Sequence, residues 1–491
     1  ISLSAMLANA EDSTNGLKRT LGAGNLIALG IGAIIGAGLF VRTAAAAGQA
    51  AGPAVTLSFI IAAVGCAFAG LCYAEFAAMI PIAGSAYAYS YVTMGELVAW
   101  IIGWALIMEY ALGAATVSIA WSEYLNKLTG GAIPYEWSHS PFESFTDSLG
   151  VAHSGIMNAP ALIILLALTL LLIRGSQESA IVNAVIVFIK VAIVIIFIAI
   201  GWQFIKPENH TPYMIPAGQA AVTDSAGKVI ADYSGAFKHG WGGVLGGAAI
   251  VFFAFIGFDA VSTAAQEAKN PKRDMPIGIL GSLVVCTILY ILFGHVLTGV
   301  ANWKDFVDPE KGREASVAYA ISTYMTGYGW LATAVTVAIL AGFSSVILVM
   351  LMGQSRIFYS MSKDGLLPRA FGDLHPKYQT PYKSNWILFV FVGLFAAFVP
   401  GSVAGDLTSF GTLFAFVLVS LGVWILRRKS PEMERPFKTP LVPIVPILGA
   451  LICLGMIVAL DMQTLKVAFI WMIIGLFVYF FYSKKTSKLN K

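Results

Sequence analysis

The sequence predicts an all-α polytopic membrane protein: twelve transmembrane helices, ten of them forming two inverted repeats of five (5+5), with helices 1 and 6 broken. Three observations carry this expectation. Of 491 residues, 58% are hydrophobic and only 11% charged, whereas soluble domains carry about 25% charged residues. Twelve apolar runs reach or approach the roughly 20 residues that cross a hydrocarbon core. The first and sixth of these runs carry glycines that an unbroken span has no use for.

The first run, Leu21–Ala47, contains GIGAIIGAGLF from Gly30 to Phe40, and six glycines fall between Gly22 and Gly38. Each costs a helix interior about 1 kcal/mol relative to alanine, so the cluster reads as a place where the helix breaks and a ligand touches backbone. Broken helix is tolerated at membrane depth only where the freed N–H and C=O groups meet protein, water or a solute. For Gly22, Gly24, Gly30 and Gly32, close helix packing is the competing reading. The next four runs are Pro53–Ile80, Leu97–Tyr124, Pro160–Arg174 and Ala180–Trp202. The sixth, Trp241–Ala265, combines aromatics, Gly257 and an acid over Phe252–Asp259. Interruptions in corresponding positions of two halves point to inverted repeats. Met275–Val300, Tyr328–Tyr359, Ser384–Phe398 and Leu407–Leu426 complete the second half, and Pro440–Asp461 and Leu465–Tyr482 are peripheral.

The expected division is a cytoplasmic N-terminal segment 1–20, a first repeat 21–202, an extracellular connection 203–240, a second repeat 241–426, a cytoplasmic loop 427–439, helices 11 and 12 over 440–482 and a cytoplasmic tail 483–491. With both termini in the cytoplasm, most of the 30 lysines and arginines fall inside, among them Lys18, Arg19, Lys272, Arg273 and Arg427, as the positive-inside rule requires. The longest connections, Asn126–Ala159 and Gln203–Gly240, then face outward and are expected to pack over the external mouth. No cleavable signal peptide is expected; the first span inserts. A net charge of +4, unevenly placed, gives no footprint for nucleic acid. The four cysteines lie in apolar spans without a C-x-x-C pair, so no metal site is expected.

At a helix break, the N-terminal end of the resumed half offers N–H groups and a positive dipole end to a carboxylate, and the C-terminal end of the other half offers carbonyls to an ammonium. Such a site suits an amino acid. The candidate substrate-binding groups are the N–H groups of Gly36, Ala37 and Gly38 and the carbonyls of Ile34, Phe253, Ala254 and Ile256.

Charges inside spans single out further residues. Lys190 sits near the centre of Ala180–Trp202, where an ammonium costs at least about 2.5–3.5 kcal/mol. It is the candidate for carrying a coupling proton; a structural tie to carbonyls is the alternative. Ser344 and Ser345 of span 8 are hydroxyls at a depth Lys190 could reach, and join it as candidate proton-coupling residues. Glu109 lies mid-span in IIGWALIMEYALG and needs a cation or a proton. It either takes the side-chain charge of a basic substrate or is a protonated acid bonded to a neighbouring helix. Asp259 reads as a cap of one half of the broken sixth helix, with a ligand or proton role as the alternative. Glu75 and His295 read as satisfied polar residues.

At GIGAIIGAGLF, FIGFDAVSTAAQEAKNPKRDMPIGI and RIFYSMSKDGLLP the chain resembles the amino acid–polyamine–organocation superfamily and, within it, the cationic amino acid transporters and their bacterial members. The resemblance runs from Leu17 to about Tyr482. It implies a leucine-transporter-type fold, alternating access and amino acid substrates, with the carboxylate at Gly36–Gly38 and the amine at Ile34, Phe253 and Ile256. It implies a proton-coupling role for Lys190, whose ammonium would stand where sodium-coupled proteins of this architecture hold sodium by hydroxyls. It places Glu109 where an acid favours basic side chains. One departure stands out: where arginine-carrying animal members have a smaller residue, this chain has Met350. A methionine there fills the side-chain pocket and favours smaller substrates such as alanine over arginine.

No nucleotide-binding P-loop, H-E-x-x-H or Gly-x-Ser-x-Gly motif occurs, so neither an enzyme nor a cofactor is expected. The expected function is a proton-coupled symporter of L-amino acids in the plasma membrane, small neutral ones such as alanine, with cationic ones as the alternative range. An exchanger without net proton movement and a membrane receptor without flux are the competing classes. The partners are the amino acid, protons and the bilayer, with no nucleic acid; a small single-span accessory subunit is left open.

Overall fold

The computed structural model describes residues 21–80, 85–174, 180–259, 261–262 and 268–490. The expected cytoplasmic segment 1–20, with Lys18 and Arg19, lies outside the described residues, as does the end of the sixth run. The chain is mostly helical. Among the described residues, seven helical stretches are long and apolar enough to cross a membrane, and apolar helices of 10–17 residues accompany them.

Helix α1 (Ala23–Ile34) is followed by two extended or bent residues, and helical winding resumes over Gly38–Ala51. The chain turns at Gly52–Pro53 into α2 (Val55–Met79), followed by α3 (Ser85–Thr93) and the long α4 (Glu96–Leu128). Helices α5 (Ala159–Ile173) and α6 (Ala180–Gly201) come next. Asn158 caps α5 by accepting the N–H of Ala161 at 3.3 Å. Helix α7 (Gly240–Val251) passes into a 3₁₀ turn, Phe252–Phe255. Then come α8 (Pro271–Val300), α9 (Ser316–Tyr324), α10 (Gly329–Lys363), α11 (Tyr382–Phe398), α12 (Gly401–Lys429), α13 (Ile444–Val458) and α14 (Met462–Val478).

Helix α4 is the central post. It packs along α10 and α12, while α2 packs along α8 and α8 along α1. Of its most apolar stretch 83% is buried, against 22% for the last helix, so α4 carries the core and α14 faces outward. What holds α14 in place is an indole stack. Trp104 and Trp471 lie 4.5 Å apart, and the indole N–H groups of Trp100 and Trp104 donate to the carbonyls of Gly475 and Trp471 at 2.8 and 2.7 Å. Buried tryptophan needs such an acceptor.

The all-α expectation needs one amendment. Two small antiparallel hairpins, β1 (Ser144–Thr146) with β2 (Ala152–Ser154) and β3 (Val222–Thr223) with β4 (Val229–Ala231), stand in the two longest connections. They are tied to each other: the Thr146 N–H donates to Asp224 at 2.7 Å, and Lys228 donates to the Ser144 carbonyl at 2.7 Å. Strands this short show no period in sequence.

At the other end, Glu75 of α2 is fully buried. It accepts from Arg427 Nε at 3.2 Å and from the Thr439 N–H at 2.9 Å, fixing segment 430–440 against the bundle. Removing one partner of a buried ion pair strands the other. Glu75→Ala is therefore expected to cost about 3 kcal/mol, read as a lowered Tm of the detergent-solubilised protein; an unchanged Tm refutes the tie.

Candidate substrate site

The two breaks meet. Ile35 is extended (φ −74°, ψ 114°), and the N–H groups of Leu39 and Phe40 both bond the Gly36 carbonyl, at 3.1 and 3.2 Å. Those of Gly36, Ala37 and Gly38 therefore precede the first bond of the resumed helix, which is the orphaned-donor geometry of a helix start. On the facing chain the 3₁₀ turn ends at Ile256 (φ −63°, ψ 129°). Gly257 follows at φ +122°, where a side chain's Cβ would also stand 2.6 Å from the Ala33 carbonyl oxygen, so only glycine fits. A Cβ on Gly38 would overlap the backbone of Ala254, 2.6 Å from its nitrogen. Ile34, Gly36, Ala37, Gly38, Phe253, Ala254 and Ile256 are thus brought into one buried knot.

The carbonyls of the knot are less free than the sequence suggests. Tyr290 of α8 places its hydroxyl 2.7 Å from the Ala254 carbonyl and 3.1 Å from that of Ile34. The Phe253 carbonyl accepts from the Ile256 N–H at 3.3 Å. A carbonyl has a second lone pair, so an incoming ammonium shares these oxygens with Tyr290. Sequence reasoning missed Tyr290; its signal is a buried phenol, which demands a partner, inside the otherwise apolar run SLVVCTILYILFG.

A cavity of about 390 Å³ opens from the loop-rich end and reaches down to Ala37. Val41, Arg42, Thr116, Ala120 and Glu123 line it, and both long connections contribute to its rim. That volume lies within the range of small-molecule sites. Arg42 pairs with Asp406 of α12 at its wall, and Gly405 leaves room for the guanidinium. This pair too was invisible in sequence, its members lying 364 residues apart.

Lys190 is buried (3% exposed). Its ammonium donates to the Gly32 carbonyl at 2.9 Å, two residues before α1 ends. Its stem crosses α10 at Gly342, where a Cβ would come within 2.9 Å of Lys190 Cε. Ser344 donates back to the Leu340 carbonyl of its own helix at 2.9 Å, and Ser345 is buried one residue on.

Glu109 and Asp259 are fully buried and face each other, with Thr412 beside Glu109. Asp259 accepts from the Tyr110 hydroxyl at 3.3 Å, while neither oxygen of Glu109 finds a hydrogen bond among the described residues. The helix that Asp259 was expected to cap would run through 263–267, which lie outside the described residues. Neither acid lines the cavity. Met350 lies over Gly113, whose Cβ would come within 3.0 Å of its sulfur, four residues from Glu109 on α4.

In the connection after α4, His139 pairs with Glu314 at the rim. Burial pulls the His139 imidazole down, but its hydrogen bond to Glu314 and the charges of Glu314 and Glu143 outweigh this and raise it above 6.5. Burial likewise pushes Glu314 up, but the bond and charge of His139 and the charge of Arg313 hold it below 4.5. The His139 contribution is full below about pH 6.5 and is lost as pH rises through the raised folded value. The Glu314 contribution is full above about pH 4.5 and is lost as pH falls through the lowered one. Amide protection over 135–143, taken relative to the base-catalysed exchange of free peptide, should accordingly be highest between these limits and fall toward alkaline pH; His139→Ala should remove that fall.

The family model described as amino acid permease matches residues 21–480. The branched-chain amino acid permease BcaP of Bacillus subtilis is 42% identical over 486 residues, covering 98% of this chain and 97% of that one. The methylthioribose transporter of the same organism is 40% identical over 485 residues, covering 98% and 97%. The vacuolar cationic amino acid transporter 4 of Arabidopsis thaliana is 33% identical over 423 residues, covering 86% of this chain and 65% of that protein. These relatives are permeases and transporters rather than enzymes, and the match spans both glycine-rich breaks and the knot they form. On that ground this multi-pass membrane chain belongs to the amino acid permease family of the amino acid–polyamine–organocation superfamily.

Proposed function

We propose that the chain is a proton-coupled symporter of neutral L-amino acids, working by alternating access in the plasma membrane with both termini cytoplasmic. The observation that carries this reading is the bond from Lys190 to the Gly32 carbonyl. A protonated amine grips the last turn before the break; on losing its proton it loses the charge-assisted part of that bond, and the inner half of the first helix is released. Proton and conformation are then linked at one atom. The N–H groups of Gly36, Ala37 and Gly38 receive the carboxylate, and the Ile34, Phe253, Ala254 and Ile256 carbonyls the amine. On this reading the spans number twelve, with repeats at 21–202 and 241–426, a connection at 203–240, a loop at 427–439 and peripheral spans at 440–482. Residues 1–20 and 483–491 lie in the cytoplasm.

Met350 over Gly113 supports aliphatic side chains, alanine first and, given the branched-chain permease among the relatives, leucine and valine next. Glu109, on this reading, is a protonated acid facing Asp259 rather than the partner of a basic side chain. The test is uptake into proteoliposomes of labelled alanine, leucine and arginine, driven separately by a pH gradient and a sodium gradient. Accumulation of alanine by the pH gradient alone is expected; uptake that requires sodium and ignores pH sinks the proposal, and binding without flux makes the chain a receptor. Unlabelled methylthioribose belongs in the competition series. The Tyr290 hydroxyl already competes for two of the carbonyls meant for an ammonium, and a solute without one would also suit such a site.

Met350→Ser is expected to raise arginine uptake about tenfold, since a buried side chain shortened by some two heavy groups returns roughly 1.5 kcal/mol of space-filling. An unchanged alanine-to-arginine ratio refutes Met350 as the selector.

A further inference from the structure

A groove of about 900 Å³ runs along the outside of the bundle, away from the substrate knot. Its floor is apolar: Ile27 of α1, Ile277, Leu280 and Val284 of α8, and Phe437 of the segment after α12. Its lip is basic, with Lys272 and Arg273 in the first turn of α8. Two acids stand near that lip: Asp274, buried in the same first turn of α8, and Glu434, 3.7 Å from Lys272 with both side chains well exposed. Lys269 precedes the turn and is also exposed. From Val284 the apolar face continues beyond the groove as an exposed stripe through Ile288 and Leu292, spaced by four residues along one helix face. From Lys272 to Leu292 this track is about 30 Å long, the thickness of a hydrocarbon core rather than of a soluble ligand.

We propose that this groove seats an anionic phospholipid, its phosphate held by Lys272 and Arg273 and one acyl chain lying along α8. The warrant is complementarity at both ends. Two cations, beside a helix start that favours negative charge, stand where the apolar track begins, and basic residues at a bilayer surface attract anionic headgroups. A zwitterionic lipid brings a choline or ethanolamine cation to the same lip and is disfavoured there. The floor residue Ile27 belongs to α1, the half-helix whose last turn Lys190 holds. A seated lipid therefore touches the element that moves in the proposed transport cycle. That consequence rests on the transport reading; the binding itself does not.

The test uses the full chain in detergent and native mass spectrometry with phosphatidylglycerol or phosphatidylcholine added. Phosphatidylglycerol is expected to be retained about tenfold more than phosphatidylcholine. Lys272→Gln with Arg273→Gln should abolish that preference, and Glu434→Gln, at a fully solvated position, should raise it. Val284→Trp should reduce retention of both lipids by filling the floor. Glycerol phosphate, which has the charge without the chains, should not compete. Equal retention of the two lipids by the parent overturns the proposal, as does an unchanged preference in the double variant. Equal competition by glycerol phosphate also overturns it, because the site would then be one for a free phosphate ester. Because these readouts are binding ratios, they succeed or fail independently of any transport assay.

Discussion

Lys190→Ala is expected to abolish accumulation driven by a pH gradient while leaving the protein folded. The ammonium donates a charge-assisted bond to the Gly32 carbonyl, and such bonds contribute about 1.5–3 kcal/mol. Losing it shifts the balance between gripped and released first helix by roughly 10- to 100-fold. Two consequences separate this from plain damage. Alanine should still raise the Tm of the variant, because the N–H groups of Gly36–Gly38 do not depend on Lys190. Counterflow, which needs no net proton movement, should persist where pH-driven uptake is gone. A variant that still concentrates alanine down a pH gradient removes Lys190 from the mechanism, and the bond to Gly32 is then the structural tie that a buried lysine can also be.

Much of this organisation is legible in the sequence because it is written locally. Glycines clustered over Gly30–Gly38 and around Gly257 mark the breaks, since helix interiors select against them, and Lys190 announces itself as a charge in an apolar run. What could not be read is pairing across distance. Nothing local says that Arg42 meets Asp406, that Glu75 is answered by Arg427 and Thr439, or that Tyr290 bonds the Ala254 and Ile34 carbonyls. The first-span glycines, alike in sequence, differ in space. A Cβ on Gly22 or Gly24 would meet nothing within 4 Å, while one on Gly30 would stand 2.6 Å from Ser282 Cβ. Packing explains the latter and not the former, and only the neighbours decide. The hairpins in the long connections escaped for another reason: two or three residues per strand are too few to set up an alternation.

That spatial difference yields the second large effect. Gly38→Ala places a methyl group against the backbone of Ala254, and backbone has no rotamer with which to step aside. Overpacking of a tight site costs about 1–3 kcal/mol, and here the displacement falls on the donors meant for the carboxylate. Transport should fall at least about 100-fold, since misplacing a binding geometry by an ångström carries that cost. Gly24→Ala is the matched control: open space around it and its place in the first turn of α1, where alanine is the better helix former, predict equal or slightly better thermal stability with uptake retained. If both variants transport like the parent, the first break is not where substrate binds. If both fail alike, the glycines serve flexibility along the whole half-helix rather than the close approach of two broken chains at Gly38 and Ala254.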